Sequence, residues 1–169
     1  DVYKRQLYVP TSIDGSMTYY PYRSIPDEIY LWWHSELKKQ FPNLAVKLHP
    51  KQKTLFVNNF RETETGPLLE VSERYGLIIF DYLSTAFAEI AATAKPIVFI
   101  DIGARNLSDD ALSSIKKRCY YIDNRNFDVD IRAELSVFGD LSCKDRYSFS
   151  KKFSVKESDL SLQLIPSDG

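Results

Sequence analysis

The chain has 169 residues, of which 44% are apolar and 27% are charged, and its formal net charge is -1. This length supports one hydrophobic core, so we expect a single domain. The balanced charge argues against a general nucleic-acid-binding protein, and no apolar run reaches the roughly 18 residues of a membrane-spanning helix. Cys119 and Cys143 lie far apart, which predicts neither a zinc site nor a disulfide framework and favours a reducing, cytoplasmic setting.

The two ends of the chain differ from its middle. The only methionine is Met17, so we interpret the sequence as a fragment of a longer protein. Residues 1–6 resemble a non-native leader and are left out of the fold prediction. We expect the folded domain to span residues 7–153, followed by a tail over residues 154–169.

The first predicted strand is Leu7–Val9, which ends at Pro10. The loop after it contains Gly15 and Ser16, small residues that would let the backbone approach a ligand closely. A surface connection without a ligand is an equally good interpretation of this loop.

A helix is predicted next, with Ser24 as its N-cap and Pro26 in its first turn. His34 is predicted to be a partly exposed helix residue without a functional role. The apolar residues of this segment recur near helical spacing and predict one wide buried face, formed by Ile29, Trp32, Trp33, Leu37 and Phe41.

The second predicted strand, Leu44–Leu48, leads to His49 and Pro50. Ligands of open α/β sheets bind outside the carboxyl ends of the strands, so His49 is a candidate for contacting or protonating a phosphate. Lys51 and neighbouring lysines add positive charge around it. A purely structural histidine is the alternative.

Residues 76–101 form the central unit of the predicted fold. Two short apolar runs, 77–80 and 97–100, are typical of buried strands, and the small-residue segment between them is typical of a helix. A strand, a loop, a helix and a second strand in about 25 residues indicate a βαβ unit and a parallel sheet.

The other segments continue this alternation. They are a strand over 54–60, a polar break over 61–66, a short helix from Pro67, a helix from Ser108, a strand over 119–122 and a helix over 129–137. The sequence therefore predicts an α/β, Rossmann-like, doubly wound fold with about five mainly parallel strands and helices on both faces.

Ser84 and Thr85 open the central helix at the carboxyl edge of the predicted sheet. Free backbone N–H groups and the helix dipole favour an anion there, although Ser84 is also a good plain N-cap. Glu89 lies four residues after Thr85 on the same helix face and is too far along to complete a capping box. A ribose diol is a suitable partner for this carboxylate, and a salt bridge to a lysine is the alternative.

Several common signatures are absent from the chain, namely GxGxxG, GxxxxGK[ST], HExxH and GxSxG. Acidic residues in DxD spacing do not occur at a predicted strand end either. We therefore expect neither a bound metal nor a cofactor.

These motifs together resemble the C-terminal half of GT-B-fold transferases. The resemblance rests on His49-Pro50, on Ser84-Thr85 after an apolar strand and Asp81-Tyr82, on Glu89, and on the segment 95–99, and it covers roughly residues 7–122. The nearest families are the CDP-glycerol glycerophosphotransferases and related capsule and surface-carbohydrate enzymes. Bacterial sialyltransferases carry a similar His-Pro and Ser-Ser/Thr arrangement.

The resemblance implies a domain that binds a nucleotide-activated donor, CDP- or CMP-linked, as substrate. His49 would contact the donor phosphate, Ser84 and Thr85 would hold it, and Glu89 would take the ribose, with no metal required. The acceptor-binding N-terminal half would be a separate domain, and the acceptor would be membrane-associated. The fragment alone would bind nucleotide weakly and catalyse little. Leu83 and Glu89 depart from the glycerophosphotransferase pattern, which usually has aspartate at the latter position.

Two other functions stay open. A non-hydrolysing nucleotide-sugar epimerase shares this architecture. A non-catalytic α/β interaction domain, in which Ser84 only caps its helix and Glu89 only forms an ion pair, requires no ligand.

Overall fold

The computed structural model describes residues 5–11, 25–50, 62–139, 141–142 and 144. Its helices and strands, in chain order, are β1 (Gln6–Tyr8), α1 (Asp27–Gln40), β2 (Ala45–Lys47), β3 (Glu62–Glu64), α2 (Leu68–Ser72), β4 (Leu77–Phe80), α3 (Thr85–Ala91), β5 (Ile97–Asp101), α4 (Asp109–Arg118), β6 (Tyr120–Asp123) and α5 (Ile131–Phe138).

The six described strands form one sheet in the order β3-β2-β1-β4-β5-β6, and every neighbouring pair is parallel. The chain extends the sheet from β1 to β3 on one side and then adds β4, β5 and β6 on the other side of β1. This is the strand order of a Rossmann-like doubly wound fold. The predicted fold class is therefore confirmed, with six described strands instead of about five.

Helices cover both faces of the sheet because successive strand residues point to opposite sides. Leu77 and Ile79 of β4 belong to a core shared with α1 and α5. Ile78 and Phe80 belong to a second core shared with α2, α3 and α4. A strand buried on both faces needs an unbroken apolar run, which is why the sequence predicts β4 and β5 well.

Three helices begin at a residue whose side chain accepts a hydrogen bond from the first turn. Ser84 caps α3, Ser108 caps α4 by accepting from the backbone N–H of Ala111 at 3.2 Å, and Asp130 caps α5. These caps lie within two residues of the predicted helix starts. The strand predicted over 119–122 and the helix predicted over 129–137 are both present, shifted by one or two residues.

The start of α1 differs from the prediction. The helix begins at Asp27, and Pro26 occupies the N-cap position with extended backbone angles instead of lying in the first turn. Ser24 lies outside the described residues. Because proline has no backbone N–H to donate, the position before or at the first helical residue suits it equally well.

The buried face of α1 is also rotated from the predicted one. Ile29 and Trp32 are 40% and 46% exposed, whereas His34 is only 5% exposed, so the prediction of a partly exposed His34 is wrong. Its ring packs edge-on against two tyrosines, with centroids 5.3 Å from Tyr8 and 4.4 Å from Tyr30. These aromatic partners replace the aliphatic neighbours that a buried helix position usually has.

The polar break predicted over residues 61–66 is wrong, because β3 lies there. This strand pairs in parallel with β2 at the edge of the sheet. Glu62 and Glu64 form ion pairs with Arg5 and Arg74 on neighbouring segments. An edge strand needs no apolar core face, so charged residues are compatible with it.

Two of the residues left out of the fold prediction, Arg5 and Gln6, take part in the fold. Gln6 begins β1, and the carbonyl of Arg5 accepts a hydrogen bond from the N–H of Gly76 at 3.1 Å. The boundaries at residues 7–153 and 154–169 stay predictions. The candidates Gly15, Ser16 and Lys51, the predicted strand over 54–60 and residues 145–169 lie outside the described residues.

Candidate functional site

A cleft of about 900 Å³ opens at the carboxyl edge of the sheet. It lies at the switch point between β1 and β4, where the chain passes from one half of the sheet to the other and the loops after the two strands diverge. Its walls come from the segments 9–11, 47–50, 66–69, 82–89 and Arg105. A cleft of this volume is large enough for a ligand of nucleotide-sugar size.

The structure brings four of the predicted site residues to this one cleft. His49 comes from the loop after β2, Ser84 from the loop after β4, and Thr85 and Glu89 from α3. Their convergence follows from the parallel sheet, because the carboxyl ends of β2 and β4 meet at the same edge. The roles assigned to these side chains stay predictions.

Ser84 is the N-cap of α3, as the interpretation without a ligand predicts. Its Oγ accepts a hydrogen bond from the backbone N–H of Phe87 at 3.3 Å. The hydroxyl proton is not used in that bond, so the same group still has a donor for a ligand. Capping and ligand contact are therefore compatible at this residue.

Glu89 projects from the exposed side of α3 into the cleft wall. None of the ion pairs among the described residues involves it. Its carboxylate nevertheless lies close enough to the Lys47 amine to favour the charged form of that lysine. The alternative of a lysine salt bridge is thus reduced to a longer-range attraction.

Lys47 is a cleft residue to which the sequence pattern assigned no role beyond background charge. It is the last residue of β2, it is buried, and its Nζ donates a hydrogen bond to the carbonyl of Leu48 at 2.9 Å. Burial lowers the pKa of Lys47, and the carboxylates of Glu64 and Glu89 oppose that shift. The position of Lys47 at the end of a predicted strand was the sequence feature that could have indicated its place in the cleft.

Arg105 is the second cleft residue that sequence reasoning missed. It lies in the loop after β5, its Nη1 donates to the carbonyl of Leu83 at 3.0 Å, and its Cζ lies 5.8 Å from the centre of the Tyr82 ring. The side chain therefore joins the loops after β4 and β5 at the edge of the cleft. A lone arginine in a predicted loop gives no sequence signal of such a position.

A buried carboxylate, Asp81, lies directly after β4 beneath the cleft. It accepts hydrogen bonds from the hydroxyl of Tyr8, from the hydroxyl of Tyr30 at 2.7 Å and from Nε1 of Trp33 at 3.0 Å. The Tyr30 hydroxyl also accepts a hydrogen bond from the backbone N–H of Thr11, which lines the cleft. This group of side chains, which we call the Asp81 cluster, thus connects α1 and β1 to the floor of the cleft.

Burial raises the pKa of Asp81 to about 6, although the three hydrogen bonds to its ionised form act in the opposite direction. The pKa of an aspartate in the unfolded chain is about 3.9. Because the native pKa is the higher one, the native state binds more protons between about pH 4 and pH 6, and the contribution of Asp81 to stability is lost as the pH rises through that range.

We therefore expect the stability of the wild type relative to Asp81→Asn to fall by about 2 kcal/mol between pH 4 and pH 7.5. The measurement is urea unfolding of both proteins at several pH values. Taking the difference between the two proteins removes the contribution of the other carboxylates to the pH dependence. A difference that does not change with pH would contradict the raised pKa.

The cleft combines cationic groups, hydroxyls and one carboxylate with apolar side chains from the loops and α2. Cations and hydroxyls suit a phosphate, a carboxylate suits a sugar diol, and apolar walls suit a planar ring.

No helix in the described ranges has the length and apolar character needed to cross a bilayer. Neither a family model, nor a curated protein, nor a solved structure gives a significant match to this chain.

Proposed function

We propose that this chain is the donor-binding, C-terminal half of a GT-B-type transferase that acts in cell-surface polysaccharide synthesis. It would bind a nucleotide-activated sugar or polyol phosphate, and a separate N-terminal domain would bind a membrane-associated acceptor on the cytoplasmic side. The observation that carries the proposal is the meeting of His49, Ser84, Thr85 and Glu89 in one cleft at the switch point of a parallel sheet.

In this proposal the donor phosphate lies between His49 and the start of α3. The hydroxyls of Ser84 and Thr85 and backbone N–H groups at the start of α3 donate to its oxygens. His49, as an imidazolium, stabilises the charge that develops on the leaving phosphate. Glu89 accepts hydrogen bonds from the ribose hydroxyls farther along the helix. No metal ion is required for these contacts.

The observation favouring a non-catalytic interaction domain is the Ser84 cap, since a capping serine needs no ligand to explain it. One other observation weighs against that alternative, since Glu89 has no ion-pair partner among the described residues.

The test is calorimetric titration of the protein with CMP, CDP and UDP. Saturable binding of at least one nucleotide is expected, with competition by the others. Failure of all three to bind would overturn the proposal.

Two substitutions at Ser84 separate capping from phosphate binding. Aspartate and asparagine both cap helices as well as serine does, so both variants should unfold within about 0.5 kcal/mol of the wild type. The aspartate carboxylate would repel a phosphate at this position, whereas the asparagine amide would not. We expect Ser84→Asp to weaken nucleotide binding by about tenfold or more and Ser84→Asn by less than about threefold. Equal binding by the two variants would show that no phosphate lies beside Ser84.

A further inference from the structure

Hydrogen bonds and burial hold the loop after β5 on its approach to Arg105. The carboxylate of Asp101 accepts a hydrogen bond from the N–H of Gly103 at 2.9 Å and another from the hydroxyl of Tyr121 at 2.7 Å. Gly103 has a φ of 72°, a left-handed conformation that suits glycine, and Ala104 is 1% exposed. The backbone that presents Arg105 is therefore fixed by contacts on both sides of the turn.

The guanidinium of Arg105 is not neutralised by any carboxylate of the described residues. Within the described ranges, no carboxylate lies within 4.0 Å of its guanidinium, and the side chain is exposed. Arg5, Arg74 and Arg125 are all paired with acidic residues. A guanidinium has five N–H donors, and the bond to Leu83 uses one of them. Among the described residues no other acceptor is bonded to Arg105, so four donors remain at the edge of the cleft.

The position of this guanidinium relative to Ser84 limits what it can bind. Its Nη1 lies 3.0 Å from the carbonyl of Leu83, which belongs to the peptide group that continues into Ser84. An anionic group bound by Arg105 would therefore be adjacent to a phosphate bound at Ser84 and Thr85. The planar fork of the guanidinium matches two oxygens of one phosphoryl group.

We propose that Arg105 binds a second phosphoryl group of the ligand and makes the cleft selective for two adjacent phosphoryl groups over one. The inference rests on the proposed function for the position of the first phosphate. It assigns the selectivity to a residue of the loop after β5, which lies outside all the motifs that the sequence offers for the site.

The direct test compares inorganic pyrophosphate with inorganic phosphate at constant ionic strength, because exposed charges are screened by salt. The wild type should bind pyrophosphate about tenfold or more tightly than phosphate. Arg105→Gln should remove most of that preference while changing phosphate binding by less than about threefold. Arg132→Gln is the matched control, because Arg132 is an exposed arginine of α5 that lies outside the cleft. Like Arg105, it has no carboxylate within 4.0 Å in the described part of the chain. A preference unchanged in Arg105→Gln, or equally reduced in Arg132→Gln, would overturn the inference.

Titration with CDP and CMP separates this inference from the proposed function. If both nucleotides bind and Arg105→Gln leaves the ratio of their affinities unchanged, the inference fails and the proposed function stands. If neither nucleotide binds but pyrophosphate is preferred through Arg105, the anion site is supported and the nucleotide function fails. Arg105→Lys, which keeps the charge and loses the fork, should retain only part of the preference.

Discussion

Replacement of Arg118 by methionine is expected to lower the free energy of unfolding by about 4 kcal/mol. Arg118 is 0% exposed, and its Nε donates to the carbonyl of Ala91 at 2.9 Å. Its Nη2 donates to the carbonyls of Thr93 and Lys95 at 3.0 and 2.8 Å. These carbonyls lie at the end of α3 and in the turn that leads into β5, where helical partners are lacking.

The large effect is expected because methionine fills most of the space but donates no hydrogen bond. Three carbonyls would lose a charged donor in a buried site, and each unsatisfied group costs about 1–3 kcal/mol. The positive charge itself is tolerated because the carbonyl end of α3 carries negative partial charge. In the described part of the chain, no carboxylate lies within 4.0 Å of Arg118.

Urea unfolding of Arg118→Met, Arg118→Lys and Arg132→Met measures this effect. Lysine keeps the charge but lacks the planar fork that lets arginine donate to all three carbonyls. The free energy of unfolding of Arg118→Lys should therefore lie between those of the wild type and Arg118→Met. Arg132 is exposed on α5, and its substitution should change the free energy of unfolding by less than about 0.5 kcal/mol. A loss below about 1 kcal/mol in Arg118→Met would mean that the turn does not depend on these bonds.

The elements that the sequence predicts well are those whose signals are local. The strands β4 and β5 are apolar runs bounded by turns, and α4 has a serine cap, acidic residues in its first turn and basic residues in its last. Such patterns depend only on residues a few positions apart. The doubly wound arrangement then follows because parallel strands need helical connections.

The strand β3 could not be predicted because its partners are distant in sequence. Its three residues are Glu62, Thr63 and Glu64, which have no apolar alternation. The Tyr75 hydroxyl lies 3.2 Å from a carboxylate oxygen of Glu62 and 2.6 Å from one of Glu64, and Arg5 pairs with Glu62 across 57 positions. Only the assembled sheet edge supplies these contacts.

The candidate site was predictable to the level of strand ends and no further. His49 and Ser84 could be assigned to one edge because both follow predicted parallel strands. The directions of the Lys47 and Arg105 side chains could not, since they depend on the carbonyls of Leu48 and Leu83. The burial of Asp81 could not be predicted either, because an aspartate directly after a strand resembles an ordinary turn residue in the sequence.

Asp81→Ala is expected to destabilise the protein by about 4–5 kcal/mol, at least as much as Arg118→Met. The alanine would leave two tyrosine hydroxyls and one indole N–H without their common acceptor. All three donors are buried, so water cannot replace the carboxylate without opening the core. The hydroxyl of Tyr30 also accepts from Thr11 N–H, so the loop after β1 would loosen as well.

Asp81→Asn distinguishes the loss of the acceptor from the loss of the charge. Asparagine has nearly the same shape and keeps one acceptor oxygen, while it removes the cost of burying an ionised carboxylate at neutral pH. We expect its loss at pH 7 to be only about 1–2 kcal/mol. The two variants, compared by urea unfolding at pH 7, should therefore differ by about 3 kcal/mol.

A double-mutant cycle with Tyr8→Phe tests whether the Asp81 cluster acts as a unit. Phenylalanine removes one donor, so part of the penalty of Asp81→Ala disappears in the double variant, and a coupling energy of about 1–2 kcal/mol is expected. Strict additivity would mean that the tyrosine and the carboxylate contribute separately. Coupling would instead mean that β1, α1 and the start of the loop after β4 are held together by one buried acceptor, since Tyr30 and Trp33 of α1 donate to the same carboxylate. The relative position of the loops after β1 and β4 would then depend on a residue that does not itself line the cleft.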